Sequence, residues 1–523
     1  MRSVLGRTDH VVVVGAGLSG LAAALHLCGR GRTVTVLERE AVPGGRAGRR
    51  DVGGYRLDTG PTVLTMPEIV GETLGAVGAS LADRLPLTRL DPAYRAYFCD
   101  GTSLDVRTGR EAMTEEVRAF AGPREAAGYA RLRDWLTRLY EVEYARFIAA
   151  NVDSPLGLLT PGLARLAAMG GFGRWDRAVG RFVRDERLRR VFTFQALYAG
   201  LSPRRAPALY AVIAYMDTVG GVYFPRGGMR ALPDALAGAA TDAGVDLRCG
   251  ITVSGLERRD RRVTAVHTAD GERIECDAVV LTCELTTAYR LLGHVPRRPY
   301  PLVAAPSAVV AHLSVPGPGG TAHHNLLFGR AWRTTFDDLI RDGRLMRDPS
   351  LALTRPTATD PALAPYGRQL VSVLAPTPNL ARGDLDWDRI GASYAREVAG
   401  LAADRCGLGG EAEILHVLTP ADWGRQGLIA GTPFSLSHTF GQTGPFRPAN
   451  LPRTTDNVVL AGCGTVPGVG IPTALLSGRL AADRVTGMPV ARPRRAAEPA
   501  PAPRGKPDAE RVRSGEGPMN RGR

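Results

Sequence analysis

The sequence predicts an α/β fold whose nucleotide-binding sheet is assembled from separated stretches of chain. Two observations predict it. Near the start, four consecutive valines, Val11 to Val14, run into Gly15-Ala16-Gly17-Leu18-Ser19-Gly20, and the next apolar run, Val34 to Leu37, ends on Glu38. Far downstream, Ala278-Val279-Val280-Leu281 and Val458-Val459-Leu460 have the composition of buried strands, and the second leads into glycines.

The opening order is strand, glycine turn, helix, strand, acid. Gly15, Gly17 and Gly20 permit a tight turn and let the backbone approach a pyrophosphate, whose charge a helix N-terminus stabilises. Glu38 follows Gly20 by 18 residues, the spacing of an acid that accepts from a ribose hydroxyl. A glycine turn alone would say little in a chain with 63 glycines. The buried run before it and the acid after it make this a Rossmann-type dinucleotide site.

The continuation distinguishes the cofactor. Pro43-Gly44-Gly45-Arg46 and Leu57-Asp58-Thr59-Gly60-Pro61-Thr62 follow directly. A second glycine turn with an arginine sets backbone amides and a guanidinium against the same pyrophosphate. That suits flavin adenine dinucleotide (FAD) better than a nicotinamide cofactor. Arg39 is expected to be an exposed arginine rather than a contact for a 2′-phosphate.

Composition sets the outer bounds. At 523 residues the chain exceeds one ordinary core, so two or more lobes are expected. Hydrophobic content is 44%, and no apolar run reaches the ~18 residues that span a bilayer. The first residues carry no stretch resembling a secretory signal, so a cytoplasmic location is expected. Seven cysteines without a Cys-x-x-Cys pair indicate reduced thiols, neither a disulfide frame nor a zinc site. The histidines lack metal-ligand spacing, and the adjacent His323 and His324 would point to opposite faces if the pair lay in a strand. A net charge of +14 suits either nucleic acid or an acidic membrane surface.

Along the chain, the predicted organisation is a first nucleotide-binding segment at 10–85, a helical substrate lobe at 86–230, and a second nucleotide-binding segment at 231–295. An inserted α+β substrate domain follows at 296–450, then a C-terminal nucleotide-binding segment at 451–487 and a disordered basic tail at 488–523. Pro472 fits the first turn of a helix reaching about Val485. The apolar, arginine-flanked stretch from Pro155 to Met169 reads equally as core packing or as an interfacial membrane contact.

Gly462-Cys463-Gly464-Thr465-Val466-Pro467-Gly468-Val469-Gly470-Ile471-Pro472, with Ser477-Gly478-Arg479, resembles the C-terminal signature of bacterial-type phytoene desaturases, of the carotenoid/retinoid oxidoreductase family. Phe224-Pro225-Arg226-Gly227-Gly228, Ala322-His323-His324, Phe328-Gly329, Leu374 to Pro378, Leu385-Asp386-Trp387 and Phe446-Arg447-Pro448 extend the resemblance over about 10–486. It implies a discontinuous FAD-binding domain, a substrate domain and a helical, membrane-associated lobe. It also implies FAD as the only bound redox cofactor.

Carried onto this chain, the resemblance implies Gly15, Gly17 and Gly20 at the pyrophosphate, Glu38 at the adenosine ribose, Gly45 and Arg46 at the phosphates, and the backbone of Val253 at adenine. Gly60, Pro61 and Thr62, with Gly462, Gly470, Ile471 and Pro472 of the signature, would lie about the flavin. Two departures stand out. Val466 replaces a histidine common in the family, and Thr282-Cys283-Glu284 replaces Asn-Ala-Asp. No catalytic acid or base is assigned.

The activity implied is successive desaturation of phytoene to lycopene, an allylic hydride passing to the flavin and a vicinal proton being lost. Oxygen or a quinone would be the terminal acceptor, and the substrate would come from a membrane to which the protein binds peripherally. Related carotenoid desaturases, ketolases and isomerases share these motifs. A non-enzymatic basic RNA- or membrane-binding module leaves both flavin segments unexplained, and no nucleic-acid partner is expected. Because a hydrocarbon offers no polar handle, recognition calls for an apolar channel. Phe192, Phe194, Leu197, Tyr210, Tyr215 and Phe224 are candidates to line it.

Overall fold

The computed structural model describes residues 1–488 except 318 and 409–411; the basic tail beyond lies outside the described residues. The valine run forms the strand His10–Val14, in the middle of a five-stranded parallel sheet. Ala278–Leu281 and then Val458–Leu460 lie on one side of it, Thr33–Glu38 and then Asp246–Cys249 on the other. Val12 sits opposite both Val279 and Thr35. Strands covered on both faces need apolar side chains in both directions, which is why these runs do not alternate.

The helix Leu18–Cys28 is buried nearly all round, because the C-terminal helix Ile471–Thr486 crosses it closely. A Cβ at Gly478 would stand 2.3 Å from the Ser19 carbonyl oxygen, so only glycine allows this approach. The C-terminal segment is thereby locked against the opening turn.

A second sheet has seven strands, in the order Glu413–Leu418, Ser307–Pro316, Arg368–Thr377, Leu351–Thr354, His324–Phe328, Tyr94–Phe98 and Ser103–Val106. It is antiparallel apart from the pairing of His324–Phe328 with Tyr94–Phe98. The helix Trp387–Cys406 covers one face through Trp387, Tyr394, Ala395 and Val398. Two strands of this sheet thus come from the stretch expected to form a helical lobe. The rest of that stretch is mainly helical, led by Arg110–Ala121 and Pro123–Glu143.

His323 and His324 do not share a strand, so the condition for their pointing to opposite faces is not met. The strand begins only at His324, and the two rings meet edge to face at 4.5 Å. Both are buried, each with its Nδ1 against a threonine hydroxyl, Thr359 and Thr354. Burial drives His324 down to about 3 and His323 well below the usual imidazole value, so both are neutral.

Candidate functional site

The opening glycine turn lies at the carboxyl ends of His10–Val14 and Ala278–Leu281, where the strand order switches direction. Gly15 has φ +105°, and a Cβ at Gly20 would fall 1.9 Å from the Gly15 carbonyl oxygen. Those two glycines answer to the turn itself. Gly17 differs: a Cβ there would meet only the Cα of Gly45, at 3.9 Å. The second glycine turn is pinned against the first, the Gly44 amide donating to the Ala16 carbonyl at 2.9 Å. Two turns from separate stretches of sequence therefore present bare backbone to one space.

Glu38 is buried, and its two oxygens accept from the Ala16 and Glu40 amides at 2.7 and 2.9 Å. Its carboxylate braces the glycine turn as well as facing the cavity. Arg46 makes a short ion pair with Glu284, the residue that caps the helix Leu285–Leu291, while its buried Nε has no partner among the described residues. A Cβ at Gly60 would stand 1.8 Å from the Arg46 carbonyl oxygen, which brings Gly60, Pro61 and Thr62 to the same wall. Val253 opens the strand Val253–Arg259 and faces the cavity, partly buried. Gly462 and Gly470 both have positive φ, and Gly470 leads into Ile471 and Pro472 at the start of the C-terminal helix.

These residues open on one cavity of about 1120 Å³ that continues into the helical region. Phe194, Leu197 and Tyr210 line it. The other three channel candidates do not: Phe192 stacks on Tyr129 at 5.6 Å, Tyr215 on Tyr140 at 4.3 Å, and Phe224 packs against His323 at 4.5 Å. Periodicity cannot separate an aromatic ring facing a chamber from one facing the core, since both faces are apolar.

Several polar residues at the site are not foreseen from the sequence. Asp217 accepts from the Tyr94 hydroxyl at 3.3 Å and from Gln195 at 3.4 Å, and burial pushes its carboxyl up to about 8. His438 contacts the Tyr210 hydroxyl through Nδ1 at 3.2 Å and lies on Gly468, where a Cβ would come within 2.3 Å of the imidazole. Burial, then nearby Arg447, holds it neutral. Arg447 is itself buried and donates to the Thr465 and Cys463 carbonyls at 2.8 and 2.6 Å, tying down the signature loop. Its only sequence signal is its place in Phe446-Arg447-Pro448.

Two glycine turns at the switch point of a parallel sheet, opening into a large and mainly apolar chamber, define a dinucleotide-dependent oxidoreductase. The chain belongs to the flavin-containing amine oxidoreductase family, whose model matches residues 18–486, and FAD is its cofactor. It is 61% identical over 502 residues to a phytoene dehydrogenase of Streptomyces griseus, covering 95% of this chain and 99% of that protein. Identity to a zeta-carotene-forming phytoene desaturase of Myxococcus xanthus is 36% over 489 residues, covering 91% and 93%. The fold matches a solved oxidoreductase from Methanosarcina mazei with a TM-score of 0.61 at 16% identity, covering 90% of this chain and 98% of that one.

Proposed function

We propose that this protein is an FAD-dependent phytoene desaturase of carotenoid biosynthesis, running successive desaturations with lycopene as the main product. The observation that carries the reading is the single cavity joining the two glycine turns to an apolar chamber. Near end-to-end similarity to a phytoene dehydrogenase supports the same substrate class.

In this reading Gly15, Gly17, Gly20 and Gly45 receive the pyrophosphate, Glu38 the adenosine ribose, and Val253 the adenine edge. The open face at Gly17 and the unpartnered Nε of Arg46 fit an anionic group between the turns. Gly60, Pro61 and Thr62 and the loop Gly462 to Pro472 border the flavin ring. Bound FAD supplies the two-electron acceptor for carbon–hydrogen oxidation. The chain's own part is to exclude water, align a polyene by shape and hold the signature loop rigid through Arg447.

Loading from a membrane surface belongs to the same proposal. No helix among the described residues is long and apolar enough to cross a bilayer. Leu156 and Leu159 are 76% and 71% exposed, and Phe172 is half exposed while also lining the cavity. Neighbouring Leu158, Leu163 and Leu166 turn inward to the same chamber. An apolar rim continuous with an apolar chamber gives a hydrocarbon a path that avoids water. We further propose that the enzyme is cytoplasmic and peripherally bound, that oxygen or a quinone is its terminal acceptor, and that its nucleotide-binding segments lie at 10–85, 231–295 and 451–487.

Similarity to a zeta-carotene-forming relative favours a second reading, in which desaturation stops before lycopene. Expression in a phytoene-accumulating bacterium with pigment chromatography tests both. Lycopene supports the first reading and zeta-carotene the second, whereas unchanged phytoene beside conversion of a coloured or hydroxylated carotenoid refutes both.

A further inference from the structure

Among the described residues, six acidic side chains face the cavity, and five of them have hydrogen-bond or ion-pair partners. Glu38, Asp58 and Glu284 accept from backbone amides, Glu40 pairs with Arg39, and Asp217 holds Tyr94 and Gln195. Glu143 is the exception. It is 3% exposed, and its buried Oε1 has no partner among the described residues. A carboxyl left unpaired in an apolar wall lowers folding stability. Packing alone would be served better by leucine at this position.

Its placement is specific. Glu143 ends the helix Pro123–Glu143, and a π-helical turn, Tyr144–Ile148, follows. The Ala149 carbonyl after that turn accepts from Arg479 of the C-terminal helix at 2.9 Å, the helix that begins at Ile471 and Pro472. On the other side Tyr210 lies close enough to feel the charge of Glu143, and Tyr210 meets His438, which rests on Gly468. The carboxyl thus stands at the seam between the apolar chamber and the signature loop.

We propose that Glu143 is the catalytic base that accepts the proton released as each new double bond forms, an assignment that rests on the desaturase reading. Converting CH2–CH2 to CH=CH breaks two C–H bonds. The first hydrogen would leave with its electron pair, for which FAD, when bound, would supply the two-electron acceptor. The adjacent C–H bond breaks the other way: its electron pair becomes the π bond and its proton goes to a Glu143 carboxylate oxygen. A hydrocarbon carries no acceptor of its own, and the chamber walls exclude bulk water. His438 also lines the cavity, and its ring Nε2 has no partner among the described residues, so it is the competing acceptor that the experiment must separate from Glu143.

Burial alone raises the Glu143 carboxyl well above the usual range. Tyr210 faces it, with Arg447 and His438 beyond. Tyr144 next in the chain faces Glu72, Arg479 and Glu68 from the neighbouring helices. None of these is a cation placed against Glu143 itself, so its reactive carboxylate form grows as pH rises, and positive charge developing on the polyene favours that form further.

The test is anaerobic flavin bleaching by the FAD-loaded full chain in phosphatidylglycerol vesicles containing phytoene. The parent rate should keep rising with pH above the ordinary carboxylate range, because burial raises the Glu143 carboxyl. Glu143→Gln should keep its flavin spectrum and melting temperature, bleach roughly 100-fold more slowly and lose the pH rise. Glu143→Asp should keep a slower but pH-dependent reaction, and Glu141→Gln, on the exposed face, should match the parent. A Gln variant with the parent's rate and pH profile overturns the assignment. So does a parent profile that vanishes in His438→Gln alone. Should Glu143→Gln lose FAD, the Asp variant decides: an unchanged pH profile overturns the assignment, and a displaced one supports it. If phytoene fails to bleach the parent but zeta-carotene succeeds, the substrate reading falls and Glu143 is judged on that polyene. If neither bleaches the parent, both proposals fall.

Discussion

Arg46 and Glu284, 238 positions apart, form an ion pair that joins the second glycine turn to the strand end beside the first. Their side chains are only 26% and 10% exposed. The pair links two separated stretches of chain at the point where the strand order of the five-stranded parallel sheet reverses. Because the buried Nε of Arg46 has no partner among the described residues, the pair orients the guanidinium without using all of its donors.

Breaking that pair should show coupling. Arg46→Met is expected to destabilise the protein by about 1–3 kcal/mol and to weaken flavin retention, since it strands a largely buried carboxylate. Glu284→Gln should cost less, because the amide still accepts one hydrogen bond. In a double-mutant cycle read by chemical denaturation, the two losses should sum to more than the loss in the double variant. Strict additivity would mean the pair is a surface contact of no consequence.

The glycines of the opening turn should separate by role. Gly17→Ala meets only the Cα of Gly45 and keeps an ordinary φ of −69°, so the apoprotein should fold with an unchanged melting temperature. Its FAD affinity should fall by about tenfold or more, read by flavin fluorescence on titration. Gly20→Ala should instead cost about 3 kcal/mol or more of stability, because its Cβ collides with the Gly15 carbonyl. Equal flavin affinity in Gly17→Ala and parent would remove the pyrophosphate from this turn.

Asp217 makes stability depend on pH in a stated direction. Its folded-state value of about 8 lies above the unfolded value of 3.8, so the native state holds a proton the unfolded chain has released. The stabilisation is complete below about pH 4 and is lost as pH rises through about 8. Asp217→Asn, which stays neutral, should therefore be more stable than the parent at pH 9 by more than it is at pH 5. Melting curves at the two values check this. A difference that does not grow with pH would show that Asp217 is ionised at neutral pH.

Surface binding should depend on the exposed leucines rather than on their inward neighbours. Leu156→Asp with Leu159→Asp should leave flavin content and melting temperature unchanged and reduce flotation with anionic vesicles several-fold. Leu158→Asp, placed on the chamber wall, should impair substrate turnover instead. If the exposed pair floats like the parent while removal of residues after Gly487 abolishes binding, the anchor lies in the basic tail.

Most of the nucleotide-binding architecture is legible in the amino-acid sequence. Val11 to Val14, the two glycine turns and the return strands at 278–281 and 458–460 are contiguous patterns, and each states its burial or backbone geometry locally. The predicted helix after Gly470 appears as Ile471–Thr486, with Pro472 in its first turn. Less visible is the origin of Tyr94–Phe98 and Ser103–Val106, which belong to the seven-stranded sheet although the stretch that follows them is helical. The two form a local hairpin, but it joins the sheet through His324–Phe328, more than two hundred residues away, and so distant a partner leaves no local mark.

A single segment of this chain encodes strand burial by an unbroken apolar run, turn geometry by glycine, and an acid at fixed spacing. Which isolated polar residues meet is settled by the fold. Glu284 against Arg46, Arg447 beneath the signature loop, His438 on Gly468 and Glu143 unpaired in the chamber wall are each a single residue in an ordinary stretch. Their charge state and role depend on desolvation and on partners brought together by tertiary packing, and neither has a period or a spacing that a linear pattern can carry.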